Sequence, residues 1–261
     1  MALDARLAPL AADPGRAVVL TDFDGTLAPI VADPSTARPL PGVTDVLAGL
    51  ARRFGRVAVV SGRPVAYLVD RLGPLEGVHV AGLYGLERSV GGGPVVVEPD
   101  AAKWRSVVAG AVERLRGGLP AGADVEEKGL TVTVHWRRAP ALEGDVRAGV
   151  AAEAASTGLT VHDGRMSVEL RPPLAVDKGS VTEAFAEGCA SACFLGDDVG
   201  DLPAFAALDR LGAAGAHTVT VAVVDAESAP EVAAAADLVV EGPVGALALL
   251  VDLLEASGGV S

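Results

Sequence analysis

The chain alternates between short, continuous apolar runs and longer segments in which apolar positions have helical spacing. The apolar runs lie at 17–20, 57–60, 78–81 and 192–195, and each ends in glycine or polar residues. Continuous apolar runs are typical of strands covered on both faces, as in parallel sheets. Helical patterns fall between these runs and beyond them, at 42–54, 64–72, 178–187 and 202–207. This alternation predicts an α/β fold with a doubly wound parallel-sheet (Rossmann-like) core. Late strands are predicted at 218–224 and 238–240, with a closing amphipathic helix at 246–255.

The middle of the chain has a different pattern. After the turn-forming residues 91–94, the segment predicts a strand, a helix, paired strands, a second helix and a last strand. Residues 131–135 alternate like a half-exposed strand of an antiparallel sheet. We therefore predict an α+β domain at 95–168, inserted between the two parts of the core, 1–94 and 169–261.

Composition and charge limit the partners of this chain. Half of its 261 residues are apolar and its formal net charge is −13. Such an acidic surface repels nucleic acid and anionic membrane, so we expect neither as a partner. It also repels a phosphorylated substrate, so a phosphate site would need local cations or a metal ion. With no signal peptide, no long apolar span and only two cysteines, the sequence predicts a soluble cytoplasmic protein with buried thiols.

Polar side chains follow three of the predicted strands where each strand ends. Asp22 and Asp24 come after the first run, Ser61 after the second, and Asp197 with Asp198 after the 192–195 run. Ligands of open parallel sheets bind at the carboxyl ends of the strands, so we expect these groups to converge at one edge. Read singly, Ser61 or one of these aspartates could equally be a helix N-cap.

Four segments resemble, in order, the signatures of haloacid dehalogenase-like hydrolases. They are Asp22-Phe23-Asp24-Gly25-Thr26, Ser61-Gly62-Arg63, Lys178 after Val176-Asp177, and Gly196-Asp197-Asp198-Val199-Gly200-Asp201. The resemblance implies that Asp22 attacks phosphorus to form an aspartyl-phosphate, and that Asp24 is the general acid and base. Ser61 would bind the phosphoryl group, with Gly62 and Arg63 beside the substrate. Lys178 would offset negative charge.

The same resemblance implies a magnesium ion. Its protein ligands would be Asp22, Asp197 and the main-chain carbonyl of Asp24, since hard oxygen ligands suit Mg²⁺. Asp198 and Asp201 would orient those ligands or bind the loop that carries them.

Longer segments resemble trehalose-6-phosphate phosphatases over most of the chain. The segments are 22–30, 82–87 (Gly-Leu-Tyr-Gly-Leu-Glu), 126–131 (Glu-Glu-Lys-Gly-Leu-Thr), 135–137 (His-Trp-Arg), 168–172 (Val-Glu-Leu-Arg-Pro) and 177–179 (Asp-Lys-Gly). This resemblance implies that the inserted domain is a cap over a disaccharide phosphate. The residues implied to bind or approach the sugar are Glu87, Glu126, Lys128, His135, Arg137 and Glu169. It also implies a metabolic link to a glycosyltransferase that makes the phosphorylated disaccharide.

The sequence departs from that family at three places. Tyr84 stands where the family has His, Trp136 where it has Tyr, and Val199-Gly200-Asp201 where Thr-Asp-Glu commonly follows. Another sugar phosphate or pseudodisaccharide phosphate therefore stays open as substrate. A phosphomutase and an inactive sugar-phosphate-binding module are the remaining alternatives. A dinucleotide-dependent dehydrogenase is disfavoured, because no Gly-x-Gly-x-x-Gly follows the first strand.

Overall fold

The structure is a computed structural model that describes residues 3–31, 33–73, 75–226 and 228–258. The chain divides into two compact units. The first unit consists of Met1–Val96 and Val176–Ser261, and the second unit of Val97–Ala175. Within the described residues, no helix is both long and apolar enough to cross a membrane.

The secondary structure alternates between strands and helices as the apolar pattern predicts. The strands are β1 (Ala17–Thr21), β2 (Arg56–Val60), β3 (Val78–Gly82), β4 (Glu87–Ser89), β5 (Val96–Val97), β6 (Asp124–Glu127), β7 (Val132–His135), β8 (Thr160–Gly164), β9 (Ser167–Arg171), β10 (Ser191–Gly196), β11 (His217–Val224) and β12 (Leu238–Glu241). The α-helices are α1 (Ala8–Ala12), α2 (Val43–Ala51), α3 (Val65–Leu72), α4 (Pro99–Ala102), α5 (Arg105–Gly118), α6 (Glu143–Thr157), α7 (Lys178–Ala186), α8 (Leu202–Ala213), α9 (Pro230–Ala234) and α10 (Gly242–Ala256).

The first unit is built on a sheet with the order β12-β11-β10-β1-β2-β3-β4-β5. The pairs from β12 to β3 are parallel, and β3 pairs with β4 in antiparallel fashion. Strand β1 is central, and Ala17 pairs with Ser191 of β10 while Val18 pairs with Arg56 of β2. Two strands from distant parts of the chain therefore flank β1.

Helices cover both faces of this sheet. On one face, alternate residues such as Val19 and Val57 pack in a core with α1, α2, α3 and α10. On the other face, Val18, Leu20 and Phe194 pack against α7, α8 and α9. Because both faces are buried, the strands carry apolar residues at successive positions. The predicted doubly wound α/β fold is confirmed.

The second unit is a four-stranded sheet in the order β6-β7-β9-β8, antiparallel throughout, with α5 and α6 packed on one face. Its core contains Val108, Val134, Val150 and the buried ring of Trp136, with Trp104 partly buried beside it. The sequence-based boundary lies at 168, whereas this compact unit continues to Ala175. The reason is that β9 pairs with both β7 and β8, so it belongs to this sheet.

One expectation for this sheet is wrong. The alternation at 131–135 predicted a half-exposed strand, but Thr131 and Thr133 are buried like the neighbouring Val132 and Val134. Their face also carries the buried Glu169 and the half-buried Glu126 and His135, as described below. Alternation of apolar and polar residues along a strand indicates that one face of the strand is apolar and the other polar. It does not indicate whether the polar face is exposed to solvent.

The two thiols differ in their surroundings. Cys193 is buried within the sheet of the first unit, and burial raises the pKa of its thiol to about 12. Cys189 is half-buried, and its pKa is also raised by burial. Both are free, so the predicted buried thiol holds fully for Cys193 only.

Candidate active site

Two neighbouring parallel strands deliver carboxylates to the same edge of the sheet. Asp22 directly follows β1, and its backbone N–H donates to the carbonyl of Leu195 at 2.8 Å, which continues the pairing with β10. Asp197 directly follows β10. Gly25 has a positive φ of 78°, and a Cβ there would lie 2.0 Å from the Asp197 carboxylate. A glycine is therefore required for the turn after β1 to approach Asp197 so closely.

Lys178 is a buried cation between two carboxylates. Its Nζ lies 2.8 Å from Asp22 Oδ1 and 2.6 Å from Asp201 Oδ1. The other oxygen of Asp201 accepts the backbone N–H groups of Asp197 and Asp198, at 3.0 and 3.2 Å. Lys178 begins α7, where a capping box formed by Asp177 and Ser180 fixes the helix start. Asp201 thus holds both the lysine and the loop that carries Asp197.

The cluster is short of positive charge. One oxygen from each of Asp22, Asp197 and Asp201 lies within 4.8 Å of the others. The pKa of Asp22 is raised to about 8: burial is the main cause, Lys178 opposes it, and the charges of Asp201 and Asp24 add to it. Burial and the charges of Asp22 and Asp201 also hold the pKa of Asp197 well above its usual range. Buried hard-oxygen donors with uncompensated charge fit a divalent metal ion.

The segment after β2 is tied to Asp24. The guanidinium of Arg63 donates from Nε to Asp24 Oδ2 at 2.7 Å and from Nη2 to Asp24 Oδ1 at 2.9 Å. The guanidinium also lies over the ring of Tyr67, 4.6 Å from the ring centroid. Ser61 Oγ accepts the backbone N–H of Arg63 at 3.2 Å, and both residues are buried. Both carboxylate oxygens of Asp24 are thus oriented by one planar cation.

Glu87 and Asp198 have structural partners. Glu87 Oε2 accepts the backbone N–H of Val65, the first residue of α3, at 3.0 Å. Asp198 Oδ1 accepts the N–H of Gly200 at 2.8 Å and caps the short 3-10 turn Val199–Asp201. Sequence analysis placed Glu87 among the substrate-binding residues, while the structure places its carboxylate on a helix N-terminus.

A separate polar cluster covers one face of the sheet in the second unit. Glu126, Thr133 and Glu169 are direct cross-strand neighbours on β6, β7 and β9, so their side chains share a face. Lys128 Nζ lies 3.3 Å from Glu169 Oε1 and 3.8 Å from Glu126 Oε2. His135 Nε2 lies 2.9 Å from Glu126 Oε2. The structure therefore brings four of the five predicted sugar-binding residues of this unit together.

Three more residues bear on the polar cluster: one that the sequence predicted and two that it did not. Arg137 is the fifth predicted residue, and it lies half-buried in the turn after β7. Thr131 and Arg171 were missed by sequence analysis. Thr131 Oγ1 donates to Glu169 Oε1 at 2.7 Å, and Arg171 Nε donates to Glu169 Oε2 at 2.9 Å. Arg171 lies in the 168–172 segment that resembles the family, so its place near Glu169 could have been predicted from the sequence. Nothing in the sequence indicates that the hydroxyl of Thr131 faces a carboxylate.

Comparison with known proteins gives the family. The family model described as trehalose-phosphatase matches residues 20–241. The chain belongs to the trehalose-phosphatase family. Its sequence is 42% identical over 201 residues to a trehalose-phosphate phosphatase of Mycolicibacterium paratuberculosis, covering 73% of this chain and 51% of that protein. A trehalose-phosphate phosphatase of Mycobacterium avium is 40% identical over 201 residues, with the same coverage of 73% and 51%. The chain spans about half the length of these curated relatives.

Solved structures of this family share the fold. The C-terminal domain of trehalose-6-phosphate phosphatase from C. albicans superposes with a TM-score of 0.77, at 24% identity, covering 100% of this chain and 99% of that one. A trehalose-6-phosphate phosphatase related protein superposes with a TM-score of 0.74, at 24% identity, covering 92% and 99%. The family resemblance seen in the sequence is confirmed.

The polar cluster of this family member makes a testable contribution to stability. Burial alone would raise the pKa of Glu169, but Lys128, Arg171 and the Thr131 hydroxyl outweigh it and lower that pKa to about 2. A lowered pKa stabilises the fold above the ordinary value of 4.5, and this stabilisation disappears as the pH falls toward 2. Glu169→Gln should therefore destabilise the second unit by about 3 kcal/mol at pH 7 and by progressively less below pH 4.5.

Tryptophan fluorescence measures this effect selectively, because both tryptophans of the chain, Trp104 and Trp136, lie in the second unit. Urea unfolding would be followed at pH 7 and pH 4 in the full chain. Glu127→Gln is the matched control, since its side chain is about half exposed and pairs only with the partly exposed Arg116 at 3.4 Å among the contacts described. A destabilisation that did not shrink at pH 4 would contradict the assignment.

Proposed function

We propose that this chain is a magnesium-dependent phosphatase that hydrolyses trehalose 6-phosphate to trehalose and phosphate. The observation that carries the proposal is the position of Asp22. Its carboxylate follows the central strand, is buried, and lies 2.8 Å from the Lys178 ammonium. A carboxylate held beside a fixed cation can attack phosphorus while the cation stabilises the charge on the transferring oxygens.

In the first step, a carboxylate oxygen of Asp22 bonds to phosphorus and the bond from phosphorus to the sugar oxygen breaks. Asp24, released from Arg63 at one carboxylate oxygen that then carries a proton, gives this proton to the departing oxygen while Arg63 holds its other oxygen. Lys178 donates to the phosphoryl oxygens, and Ser61 with the Gly62 amide binds the phosphoryl group. In the second step, Asp24 takes a proton from water as the water attacks the aspartyl-phosphate. Phosphate leaves and the Asp22 carboxylate is restored.

The residues present fit Mg²⁺. Asp22, Asp197 and the main-chain carbonyl of Asp24 would hold it, while Asp201 and Asp198 keep their backbone partners and orient the loop. When bound, the ion supplies positive charge to the buried carboxylates and to the phosphoryl oxygens. Asp201 has both oxygens occupied by Lys178 and two backbone N–H groups. This occupancy supports an orienting role rather than direct ligation.

Metal binding can be tested without turnover. Mg²⁺ at about 100 times its Kd should raise the Tm of the metal-stripped chain by about 5 °C, because it binds only the folded cluster. Asp197→Asn should lose most of this shift. Asp198→Asn is the matched control and should keep it, since its side chain caps Gly200. Equal shifts in both variants would remove Asp197 from the ligand set.

We further propose that the second unit selects the sugar and acts as the cap assigned to 95–168. Glu126, Lys128, His135, Arg137 and Glu169 provide carboxylates, an ammonium, an imidazole and a guanidinium, which match the vicinal hydroxyls of a sugar. The relatives named trehalose-phosphate phosphatase support a trehalose phosphate as substrate. The cytoplasmic location and the metabolic link to a glycosyltransferase stay predictions from the sequence.

The proposal is tested by phosphate release from a panel of sugar phosphates, with EDTA and with added Mg²⁺. The panel contains trehalose 6-phosphate, sucrose 6-phosphate, glucose 6-phosphate and p-nitrophenyl phosphate. Mg²⁺-dependent release with the highest kcat/KM for trehalose 6-phosphate is the expected result. Preference for another sugar would keep the chemistry and overturn the substrate. Conversion of one sugar phosphate into an isomer without phosphate release would indicate a mutase, and no reaction at all a binding module.

A further inference from the structure

The turn after β3 has an unusual backbone. Leu83 and Tyr84 are consecutive non-glycine residues with positive φ angles of 49° and 61°. Such left-handed conformations cost free energy for residues with a side chain, on the order of 1 kcal/mol each. Leu83 is fully buried, so core packing accounts for its side chain. Tyr84 is only half-buried, so core packing does not account for a tyrosine there.

Hydrogen bonds tie this turn to the segment that follows β2. The backbone N–H of Leu83 donates to the carbonyl of Arg63, and that of Tyr84 donates to the carbonyl of Ser61, both at 2.9 Å. These bonds hold the two left-handed residues in place. The backbone at Tyr84, from which its side chain extends, is therefore fixed relative to Ser61 and Arg63.

The phenol end of Tyr84 lies directly against Gly62. A Cβ built on Gly62 would come within 2.5 Å of the Tyr84 hydroxyl oxygen and 2.6 Å of the ring carbon that bears it. Any residue with a side chain at 62 would displace the ring. Because Gly62 has no side chain, there is room for the Tyr84 phenol against the backbone between Ser61 and Arg63.

That segment carries two residues with proposed roles in the reaction. Ser61 is the proposed phosphoryl-binding hydroxyl, and Arg63 holds Asp24, the proposed proton donor to the departing oxygen. The phenol against Gly62 therefore lies beside the segment that would bind the phosphoryl group and that holds the proton donor. An aromatic ring with a hydroxyl suits a sugar, because the ring packs on apolar C–H faces and the hydroxyl bonds to sugar hydroxyls.

We infer that Tyr84 is a specificity-determining residue that contacts the departing sugar through its phenol hydroxyl. The inference rests on the proposed phosphatase function. It assigns to the first unit a share of sugar recognition, independent of the polar cluster in the second unit. The departing group of an aryl phosphate has no sugar hydroxyls, so it cannot form this hydrogen bond with Tyr84.

The test compares two tyrosine-to-phenylalanine variants, since the chain contains only Tyr67 and Tyr84. Selectivity is the ratio of kcat/KM for the best sugar phosphate of the panel to kcat/KM for p-nitrophenyl phosphate. Tyr84→Phe should lower this ratio about 10-fold, because one hydrogen bond to the substrate is lost. Tyr67→Phe is the control, because its hydroxyl donates to the carbonyls of Pro34 and Ala37 at 3.0 and 3.3 Å.

Tyr67→Phe should lower Tm and leave the selectivity ratio unchanged. An unchanged ratio in Tyr84→Phe, or equal falls in both variants, would overturn the inference while the phosphatase function stands. If the wild-type chain released phosphate from neither class of substrate, the proposed function and this inference would both fail. A ratio that fell in Tyr84→Phe and returned toward wild type in Tyr84→His, which restores a polar donor, would strengthen it.

Discussion

If Asp22 is the proposed nucleophile, its replacement by asparagine should lower phosphate release from a sugar phosphate by about 10⁴-fold or more. An amide has the shape of the carboxylate and lacks its nucleophilic charge, so the aspartyl-phosphate cannot form. The fold is expected to persist, because Lys178 keeps Asp201 as a partner at 2.6 Å. Burial already raises the pKa of the Asp22 carboxyl to about 8, so its loss removes a group that is poorly accommodated as an anion.

Three measurements check this result. Steady-state phosphate release gives the fall in rate, and thermal unfolding shows whether the variant is folded. Rapid acid quench with labelled substrate should trap phosphate on the wild-type chain and none on Asp22→Asn. Asp198→Asn, a neighbouring aspartate with a backbone cap as its role, should lose less than about 10-fold. Turnover of Asp22→Asn within 10-fold of wild type would exclude Asp22 as the nucleophile.

Arg63→Gln should lower kcat for a sugar phosphate by about 10²-fold while changing hydrolysis of p-nitrophenyl phosphate far less. The reason is the bidentate contact with Asp24, at 2.7 and 2.9 Å. Without the guanidinium, Asp24 is no longer oriented to protonate a departing sugar oxygen. A nitrophenolate leaves without such help, so the aryl phosphate serves as an internal control.

A double-mutant cycle separates positioning of Asp24 from direct binding of substrate. If Arg63 acts through Asp24, Arg63→Gln should have little further effect in an Asp24→Asn background. If it binds the substrate, as sequence analysis supposed, its loss should cost the same in both backgrounds. Arg71→Gln is the matched control, since its guanidinium also lies 4.6 Å from the Tyr67 ring centroid but binds the carbonyls of Ser35 and Ala37.

Much of the fold could be predicted because its strands are covered on both faces. Continuous apolar runs such as those of β1 and β10 have few alternatives in a chain of this length. The ends of the helices and strands were harder to predict. Helix α8 was predicted to stop at 207 but continues to Ala213, because its later residues Asp209 and Arg210 lie on the exposed side, where polar residues do not break a helix.

The sequence predicted which residues form the site better than it predicted which of these residues contact each other. The aspartates and Lys178 carry motif signals, and the structure brings Asp22, Asp197, Asp201 and Lys178 together. The pairing of Arg63 with Asp24 depends on side-chain geometry between separate strands, which spacing does not encode. The same holds for Glu87, whose carboxylate caps α3. The left-handed backbone at Leu83 and Tyr84 has no sequence signal, since neither residue is glycine or asparagine.

The pairing of β1 with β10 has a consequence for how the protein is made. Ala17 is synthesised well before its partner Ser191, because more than a hundred residues separate the two along the chain. The second unit is one continuous stretch, Val97–Ala175, so its whole sequence is available before β10 has been translated. Until then, the edge of β1 that pairs with β10 has no partner strand. During synthesis, the strand that leads into Asp22 therefore offers one unpaired edge to chaperones and to aggregation.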